Sequence, residues 1–342
     1  MKKILILKIG ALGDVVRTTY FLPGLKKLYD NFVEIYWITS NIAFELLEEN
    51  KYIDKLIKIE DEKEIKKLEN ENFDWIISLE DEKEVFEKIE NFKFKKLSGV
   101  YKEEKYLTYT EDLKEWFDMG LLSKYGKEKA DILKKQNKLS HKEIFSKGLN
   151  IEILEPFFFN DINLEEEIKK NFEKYNKKYN KKYLIGLNLN AGKRWPSKAL
   201  KVEEGKKLIQ ELLKDKKNHL FILGGKEELE INRFLIQDFI KEKNITLINP
   251  CKLKEFAAIV KNLDLLITSD TLALHLAIAQ KVKTISYYAP TSAVEIDTFG
   301  NGEKIISEAE DYCSYKPFVD NSTITAERIL KKIISQAETY LR

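Results

Sequence analysis

Cysteine is scarce in this sequence, which contains only Cys251 and Cys313 among 342 residues. This pair matches neither a disulfide framework nor the clustered CxxC spacing of a zinc site, so we expect a reducing cytoplasm and no bound metal or cofactor. Long apolar runs are also lacking, because no stretch approaches the roughly 20 residues that cross a bilayer. The apolar start leads into Asp14 and Arg17 without a small-residue cleavage pattern, which indicates a strand instead of a signal peptide.

A surplus of either charge is absent as well. The 59 basic and 57 acidic side chains give a formal net charge of +2. A domain that binds nucleic acid shows a pronounced basic surplus, so nucleic acid is not an expected partner. The net charge of the whole chain does not show how charges are distributed over its surface. Peripheral contact with acidic lipids at the inner face of the cytoplasmic membrane therefore stays a hypothesis.

What the sequence does contain is an alternation of two patterns. Short apolar runs alternate with charged, helix-favouring segments, which predicts parallel sheets with helices on both faces. The length of 342 residues exceeds one ordinary α/β domain, so we expect two. A long helix is predicted over residues 14–29, and strands over residues 4–9, 33–38, 55–59, 74–79, 95–100, 183–189, 219–223, 247–249, 264–268 and 283–288.

The alternation also sets the expected domain limits. It breaks over residues 101–150, which we interpret as a mainly helical insertion within an N-terminal domain of residues 1–160. The charged segment 164–182 has the composition of an interdomain connection, and residues 161–324 form the second domain. An amphipathic helix follows over residues 325–342 and is a candidate to pack back across the hinge.

Ligands of open parallel sheets bind beyond the carboxyl ends of the strands, so the loops there carry the candidate chemistry. The first, GALGDVVRT over residues 10–18, has a GxxG spacing and not the GxGxxG of dinucleotide binders, and no P-loop lysine follows it. Asp14 in this loop has two interpretations. It is either the N-cap of the following helix or a general base at the edge of the sheet.

Two further loops offer cations and a carboxylate. Lys193 and Arg194 lie side by side before Trp195, where they form either a solvated basic turn or a diphosphate site. Only five of the 59 basic residues are arginine, and its fork binds phosphate through two hydrogen bonds, which favours the diphosphate interpretation. In LGGKEE, Gly224 and Gly225 end a strand. Glu227 has two interpretations: its negative charge stabilises the N-terminus of the following helix, or its carboxylate accepts hydrogen bonds from both ribose hydroxyls of a nucleotide.

The fourth loop is TSDTLALHLAIA, over residues 268–279. Asp270 and Thr271 are predicted to cap a helix whose N-terminal amides receive an anion without a metal. His275 lies one turn into this helix. A lone histidine is more often a packed structural residue than a catalyst, so a structural role is the first interpretation.

Taken together, these loops resemble the heptosyltransferase family, glycosyltransferase family 9. The resemblance is carried, in order, by ILILKIGALGDVVRTT, KRWP, LGGKEE and SDTLALHLAIAQKVKTISYYAPTS. It implies the GT-B architecture, in which two Rossmann-like, doubly wound parallel-sheet α/β domains face a central cleft. It also implies that the N-terminal domain receives a lipopolysaccharide-type glycan or glycolipid acceptor, while the C-terminal domain binds an ADP-heptose-like donor and the anomeric centre is inverted without a metal.

The resemblance also assigns roles by position. It implies that Asp14 is the base, with Gly13 and Arg17 beside it as acceptor contacts, and that Lys193 binds the diphosphate. The donor contacts that it implies are Arg194, Gly224, Gly225, Glu227, Asp270, Thr271 and His275. Leu272 replaces the glycine usual at its position, and its side chain limits how closely a ligand approaches, which leaves the identity of the donor open.

Three other classes of protein remain as alternatives. A nicotinamide-dependent oxidoreductase suits paired α/β domains, but the sequence lacks GxGxxG. A non-catalytic nucleotide-sugar-binding protein keeps the C-terminal loops and needs no base. A nucleotide-sugar epimerase of the same architecture needs further acidic residues in its cleft.

Overall fold

A computed structural model describes residues 1–179 and 183–340 of the chain. The chain divides into two compact units, Met1–Phe159 and Asn160–Arg342. Each unit is built on one six-stranded sheet with helices between most successive strands. This arrangement confirms the predicted class of two parallel-sheet α/β domains.

The first unit contains strands in the spatial order β3-β2-β1-β4-β5-β6. The first five are parallel, with Ile4 of β1 opposite Ile35 of β2 and Trp75 of β4, and β6 runs antiparallel to β5. The central strands are almost wholly buried, because both faces of a parallel sheet are covered. The strands are β1 Lys2–Leu7, β2 Val33–Thr39, β3 Lys55–Lys58, β4 Asn72–Ser78, β5 Lys93–Glu103 and β6 Tyr106–Tyr109.

Eight helices accompany this sheet within the described residues. They are α1 Leu12–Thr18, α2 Phe21–Leu28, α3 Asn41–Phe44, α4 Glu62–Leu68, α5 Lys83–Ile89, α6 Lys114–Phe117, α7 Lys127–Gln136 and α8 His141–Leu149. The single helix predicted over residues 14–29 is wrong, since α1 and α2 are separate. In a continuous helix the ring of Pro23 would clash with the carbonyl of Thr19. Between the two helices, the hydroxyl of Thr19 donates a hydrogen bond to the Val16 carbonyl.

The sequence predicted a mainly helical insertion over residues 101–150, but the first part of this segment is a β-hairpin. This part extends β5 and returns as β6 through a tight turn in which Glu104 has a φ of +52°. The charged residues of this turn interrupt the Tyr and Thr residues that favour strands, so the sequence pattern did not indicate a hairpin. The helical part follows from α6 onward, and α8 begins with a capping box formed by Ser140 and Glu143.

The second unit has the strand order β12-β11-β10-β7-β8-β9, with every pair parallel. Its strands are β7 Tyr183–Asn188, β8 Asn218–Ile222, β9 Ile245–Leu247, β10 Leu265–Ser269, β11 Lys283–Tyr288 and β12 Gly302–Ile306. Its helices are α9 Ile162–Tyr179, α10 Val202–Lys214, α11 Leu229–Ile236, α12 Leu253–Lys261, α13 Leu272–Ala279 and α14 Ala326–Tyr340.

Two sequence expectations change in this unit. The predicted connection over residues 164–182 is largely α9, whose Phe172 stacks on Phe221 of β8 at 4.6 Å, although residues 180–182 lie outside the described chain. Strand β12 was not predicted at all. Helix α14 packs on α10, β11 and β12, with Ile329 in the core of the unit, and residues 341–342 of the predicted helix lie outside the described part.

In both sheets the direction of strand progression reverses next to the first strand of the unit. The reversal lies between β1 and β4 in the first unit and between β7 and β10 in the second. Ligands of doubly wound sheets bind at the carboxyl ends of the strands beside such a point. The fold therefore marks two places for a site, one in each unit. In the described chain, no helix has the length and apolar composition needed to cross a membrane.

Candidate functional site

Asp14 lies at the reversal point of the first unit. The loop after β1 turns through Ala11, whose φ of +47° is left-handed, and α1 begins at Leu12. Ala11 occupies the N-cap position and no side chain caps the helix, so the interpretation of Asp14 as the cap is wrong. The Asp14 carboxylate stands on the first turn with 36% of its side chain exposed. It is available to a ligand in a way that a capping carboxylate is not.

Arg17 fixes the orientation of this carboxylate. One of its terminal nitrogens lies 2.9 Å from Asp14 Oδ1, and the guanidinium sits 5.0 Å from the ring centre of Trp116. Only 11% of the Arg17 side chain is exposed. The base proposed from the sequence therefore has a positively charged, largely buried neighbour one turn away, while Gly13 lies immediately before it in α1.

The second unit contains a pocket of about 640 Å³, its open mouth included. It lies at the carboxyl ends of β7, β8, β9 and β10, beside the reversal point of that sheet. Its walls bring together three of the loops singled out from the sequence. The lining residues are Asn188, Asn190, Ala191, Gly192, Gly224, Gly225, Glu228, Cys251, Leu253, Phe256, Thr271, Leu272 and Ala273.

The glycine turn after β8 forms one wall. A Cβ at Gly224 would lie 2.7 Å from Asn232 Nδ2, so the turn accepts no larger residue there. The amide of Gly225 donates to Glu228 Oε2 at 2.8 Å. Glu228 lines the pocket, whereas the predicted Glu227 is not among the lining residues. Glu227 lies beside the lining residue Gly192, because a Cβ built on Gly192 would be 3.9 Å from Glu227 Oε2. Glu228 could have been predicted from the sequence, because it directly follows Glu227 in the LGGKEE loop.

The α13 N-terminus forms the opposite wall. Thr271 occupies the N-cap position, but no side chain caps the helix, which corrects the predicted capping by Asp270 and Thr271. The Thr271 hydroxyl is instead 3.1 Å from Asn188 Nδ2 and 3.0 Å from the hydroxyl of Thr268. Thr271, Leu272 and Ala273 line the pocket, so the N-terminal turn of α13, which its N-cap side chain leaves uncapped, forms part of the wall and suits an anionic ligand.

Asp270 is held between His275 and a lysine that sequence reasoning missed. Lys198 Nζ lies 2.8 Å from Asp270 Oδ2 and donates to the Asp270 carbonyl at 2.7 Å, while His275 Nε2 is 3.3 Å from Oδ1. Burial alone would raise the pKa of Asp270, but the Lys198 charge and the His275 contact hold it well below its usual range. The expected structural role of His275 agrees with this arrangement. Lys198 carries no sequence signal beyond its place in the KRWPSK turn.

Lys193 and Arg194 are exposed on the loop that contributes Gly192 to the pocket. In the part of the chain that the structure describes, neither side chain has an ion-pair partner. Cations without an internal partner at the mouth of a pocket are available to neutralise an anion.

The remaining wall is apolar and comes from the loop after β9 and from the first turn of α12. Cys251, Leu253 and Phe256 line it. Burial, and secondarily the charge of Glu255, raises the pKa of the Cys251 thiol to about 11. Sequence reasoning missed these three residues, because apolar lining residues follow the same pattern as residues of the core.

No group of three or more His, Cys, Asp or Glu side chains suited to a metal ion occurs among residues 1–179 and 183–340. The pocket lining offers backbone groups, amide side chains, a carboxylate and an apolar surface, and the exposed Lys193 and Arg194 follow Gly192 of that lining in the chain. A nucleoside diphosphate requires these same groups, an apolar wall for the base and amides and cations for the phosphates.

Comparisons with known proteins bear on this pocket and on the fold. The model of glycosyltransferase family 9 (heptosyltransferase) matches residues 133–322. No curated protein matches the sequence. A solved glycosyl transferase family 9 protein from Veillonella parvula DSM 2008 is 18% identical, with a TM-score of 0.74 over 98% of this chain and 96% of that one.

Two structures from E. coli are similar over almost their full lengths. ADP-heptose lps heptosyltransferase II is 14% identical, with a TM-score of 0.72 and 100% of both chains covered. Heptosyltransferase WaaC with ADP is 15% identical, with a TM-score of 0.62 over 98% of this chain and 99% of that one. At these identities the structures establish similarity of fold, and the family model is independent of them.

Proposed function

Because the chain belongs to glycosyltransferase family 9, we propose that it moves a heptose-like sugar from an ADP-linked donor to a glycan of the lipopolysaccharide core type. The chain is a glycosyltransferase, and the identities of donor and acceptor are the proposal. Support for the donor comes from similar structures described with ADP and with ADP-2-deoxy-2-fluoro heptose. Support for the acceptor comes from the similar lps heptosyltransferase.

The observation that carries the proposal is the composition of the pocket in the second unit. Leu253 and Phe256 offer an apolar surface for a nucleobase, and Glu228 offers a carboxylate for ribose hydroxyls. The α13 N-terminus and the exposed Lys193 and Arg194 offer positive charge for a diphosphate. Glu227, beside Gly192, is a second candidate for the ribose.

The reaction that we propose is a single displacement with inversion. Asp14 takes the proton from an acceptor hydroxyl while that oxygen forms a bond to the anomeric carbon. The bond from this carbon to the diphosphate oxygen breaks on the opposite face, and the nucleoside diphosphate leaves with the electron pair. Lys193, Arg194 and the first-turn amides at Thr271 stabilise the charge that grows on the diphosphate, so the step needs no metal.

Leu272 bears on the choice of donor. This residue lines the pocket at the first position of α13, where the resemblance has glycine. A leucine there occupies space beside the amides that receive the diphosphate. We therefore include in the proposal that the sugar or its placement differs from that of relatives with glycine.

We expect ADP to protect Cys251 from alkylation, because Cys251 lines the proposed nucleotide pocket. The thiolate is the reactive form, so labelling by iodoacetamide should accelerate as the pH rises toward the thiol pKa of about 11. At ten times its Kd, ADP should slow labelling about tenfold by mass action. Cys313 is buried and serves as an internal control in the same peptide map. Labelling of Cys251 that is indifferent to ADP would refute this placement of the donor.

The proposal extends to contact with the cytoplasmic face of a membrane that holds the acceptor. Leu121, Tyr125 and Ile132 are exposed, and Ile132 lies on α7 three residues from the exposed Lys129 and Lys135. An apolar side chain between lysines suits an anionic lipid surface. Sedimentation with anionic vesicles, and not with neutral ones, checks this part of the proposal.

A further inference from the structure

Glu80 is a deeply buried carboxylate beside the loop that leads to Asp14. It is separated from the end of β4 by Leu79 alone, at the reversal point of the first sheet, and only 5% of its side chain is exposed. Its Oε1 accepts three hydrogen bonds, from Lys8 Nζ at 2.9 Å, the Ile9 amide at 2.5 Å and the Gly10 amide at 3.1 Å. One carboxylate oxygen thus fixes two successive peptide groups.

The other side of the same loop is also held. The carbonyl of Lys8 accepts from Trp37 Nε1 at 3.1 Å, and the carbonyl of Ile9 accepts from the Ser40 hydroxyl at 3.0 Å. The chain from Lys8 to Gly10 is therefore fixed by Trp37 of β2 and by Ser40, which follows β2, on one side and by Glu80 on the other. The left-handed Ala11 follows at once, and Asp14 stands three residues later on the first turn of α1.

We propose that Glu80 is a positioning residue that sets the place of the base Asp14 through the amides of Ile9 and Gly10. This inference rests on the proposed function of Asp14. A general base acts only within hydrogen-bond reach of its proton, and a misplacement of about 1 Å costs on the order of 100-fold in rate. Lys8 neutralises the buried carboxylate, which allows a charged acceptor to occupy this position.

The chain supplies a matched control at the opposite end of the same strand pair. Asp74, at the start of β4, accepts from the Lys3 amide at 3.0 Å and pairs with Lys95 at 2.9 Å and Lys2 at 3.2 Å. Like Glu80, it combines a backbone amide with a lysine ammonium group, although its amide belongs to β1 itself. It lies at the amino end of the strands, away from the loop, so its loss removes the same kind of contact without reaching Asp14.

The test compares Glu80→Ala with Asp74→Ala in the full chain. For Glu80→Ala we expect kcat to fall about 10- to 100-fold while the KM for donor stays within about twofold, because the donor binds the other unit. Hydrogen exchange of the amides of residues 9–13 should accelerate, since two of them lose their acceptor. Asp74→Ala should keep kcat within about twofold, and its exchange at residues 9–13 should match that of the parent.

A double variant, Lys8→Met with Glu80→Gln, guards against simple unfolding. The glutamine oxygen still accepts from both amides and no ammonium is left unpaired, so most of the kcat lost in Glu80→Ala should return. Equal losses of kcat in Glu80→Ala and Asp74→Ala, or unchanged exchange at residues 9–13 in Glu80→Ala, would overturn the inference. If the parent chain transfers no sugar, the proposed function fails, and the exchange measurement still decides the role of Glu80.

Discussion

Replacing Asp14 with asparagine is expected to lower the transfer rate about 100- to 10,000-fold, the range typical for loss of a general base. Asparagine has the same shape but does not accept a proton at neutral pH. The melting temperature should change little, because Ala11 and not Asp14 occupies the cap of α1, and the asparagine oxygen at this partly exposed position still accepts from Arg17. ADP affinity should also be preserved, since the proposed nucleotide pocket belongs to the second unit.

Asp61→Asn is the matched control for this variant. Asp61 caps α4 in the same unit, and its carboxylate accepts from the Glu64 amide at 3.1 Å. The substitution changes the same functional group, and asparagine caps a helix about as well as aspartate, so rate and stability should both persist. Transfer by Asp14→Asn at the parental rate would remove Asp14 from the mechanism and return the first unit to a role in binding alone.

The second large effect is expected from Lys198→Met, which should destabilise the chain by roughly 3–5 kcal/mol. Among the ion pairs of the described residues, the substitution removes the lysine from the buried Asp270 and leaves the contact with His275 at 3.3 Å. Lys214→Met is the control, because it breaks an exposed pair with Glu211 at 2.6 Å and should cost less than about 1 kcal/mol. Urea unfolding followed by fluorescence gives both values, and equal midpoints for the two variants would contradict the account.

The same pair predicts how stability depends on pH. The pKa of Asp270 is lower in the folded chain than its ordinary value of 3.8, so the carboxylate contributes stability above that value and loses it as the pH falls toward the folded pKa. The parental urea midpoint should therefore decline below about pH 5. In Lys198→Met the folded pKa rises, so this decline should be smaller. Parallel declines in both proteins would show that Asp270 is not the source.

Much of the fold could be predicted from the sequence because its strands are short, apolar and regularly spaced. Strand β11 spans the predicted residues 283–288. The errors arise where local pattern and tertiary context disagree. Pro23 divides one predicted helix, charged residues conceal the β5–β6 hairpin, and the charged α9 buries Phe172 although its composition suggested a connection.

The candidate site divides in the same way. Gly224, Gly225 and Thr271, which the glycine loop and the helix-start pattern singled out, line the pocket. Lys198 and Glu80 could not be found from the sequence, because their partners lie 72 residues away along the chain. In a chain this rich in lysine and glutamate, only the fold distinguishes a buried ion pair from a solvated one.

The most direct test of the central claim is transfer itself, measured with the purified chain, ADP-linked heptose and a lipopolysaccharide core acceptor in the presence of a chelator. The account predicts ADP release that depends on the acceptor, an acceptor heavier by one heptose with inverted anomeric configuration, and a rate that a divalent ion does not raise. Donor that is hydrolysed or epimerised without acceptor, or transfer that only a divalent ion restores, would contradict it.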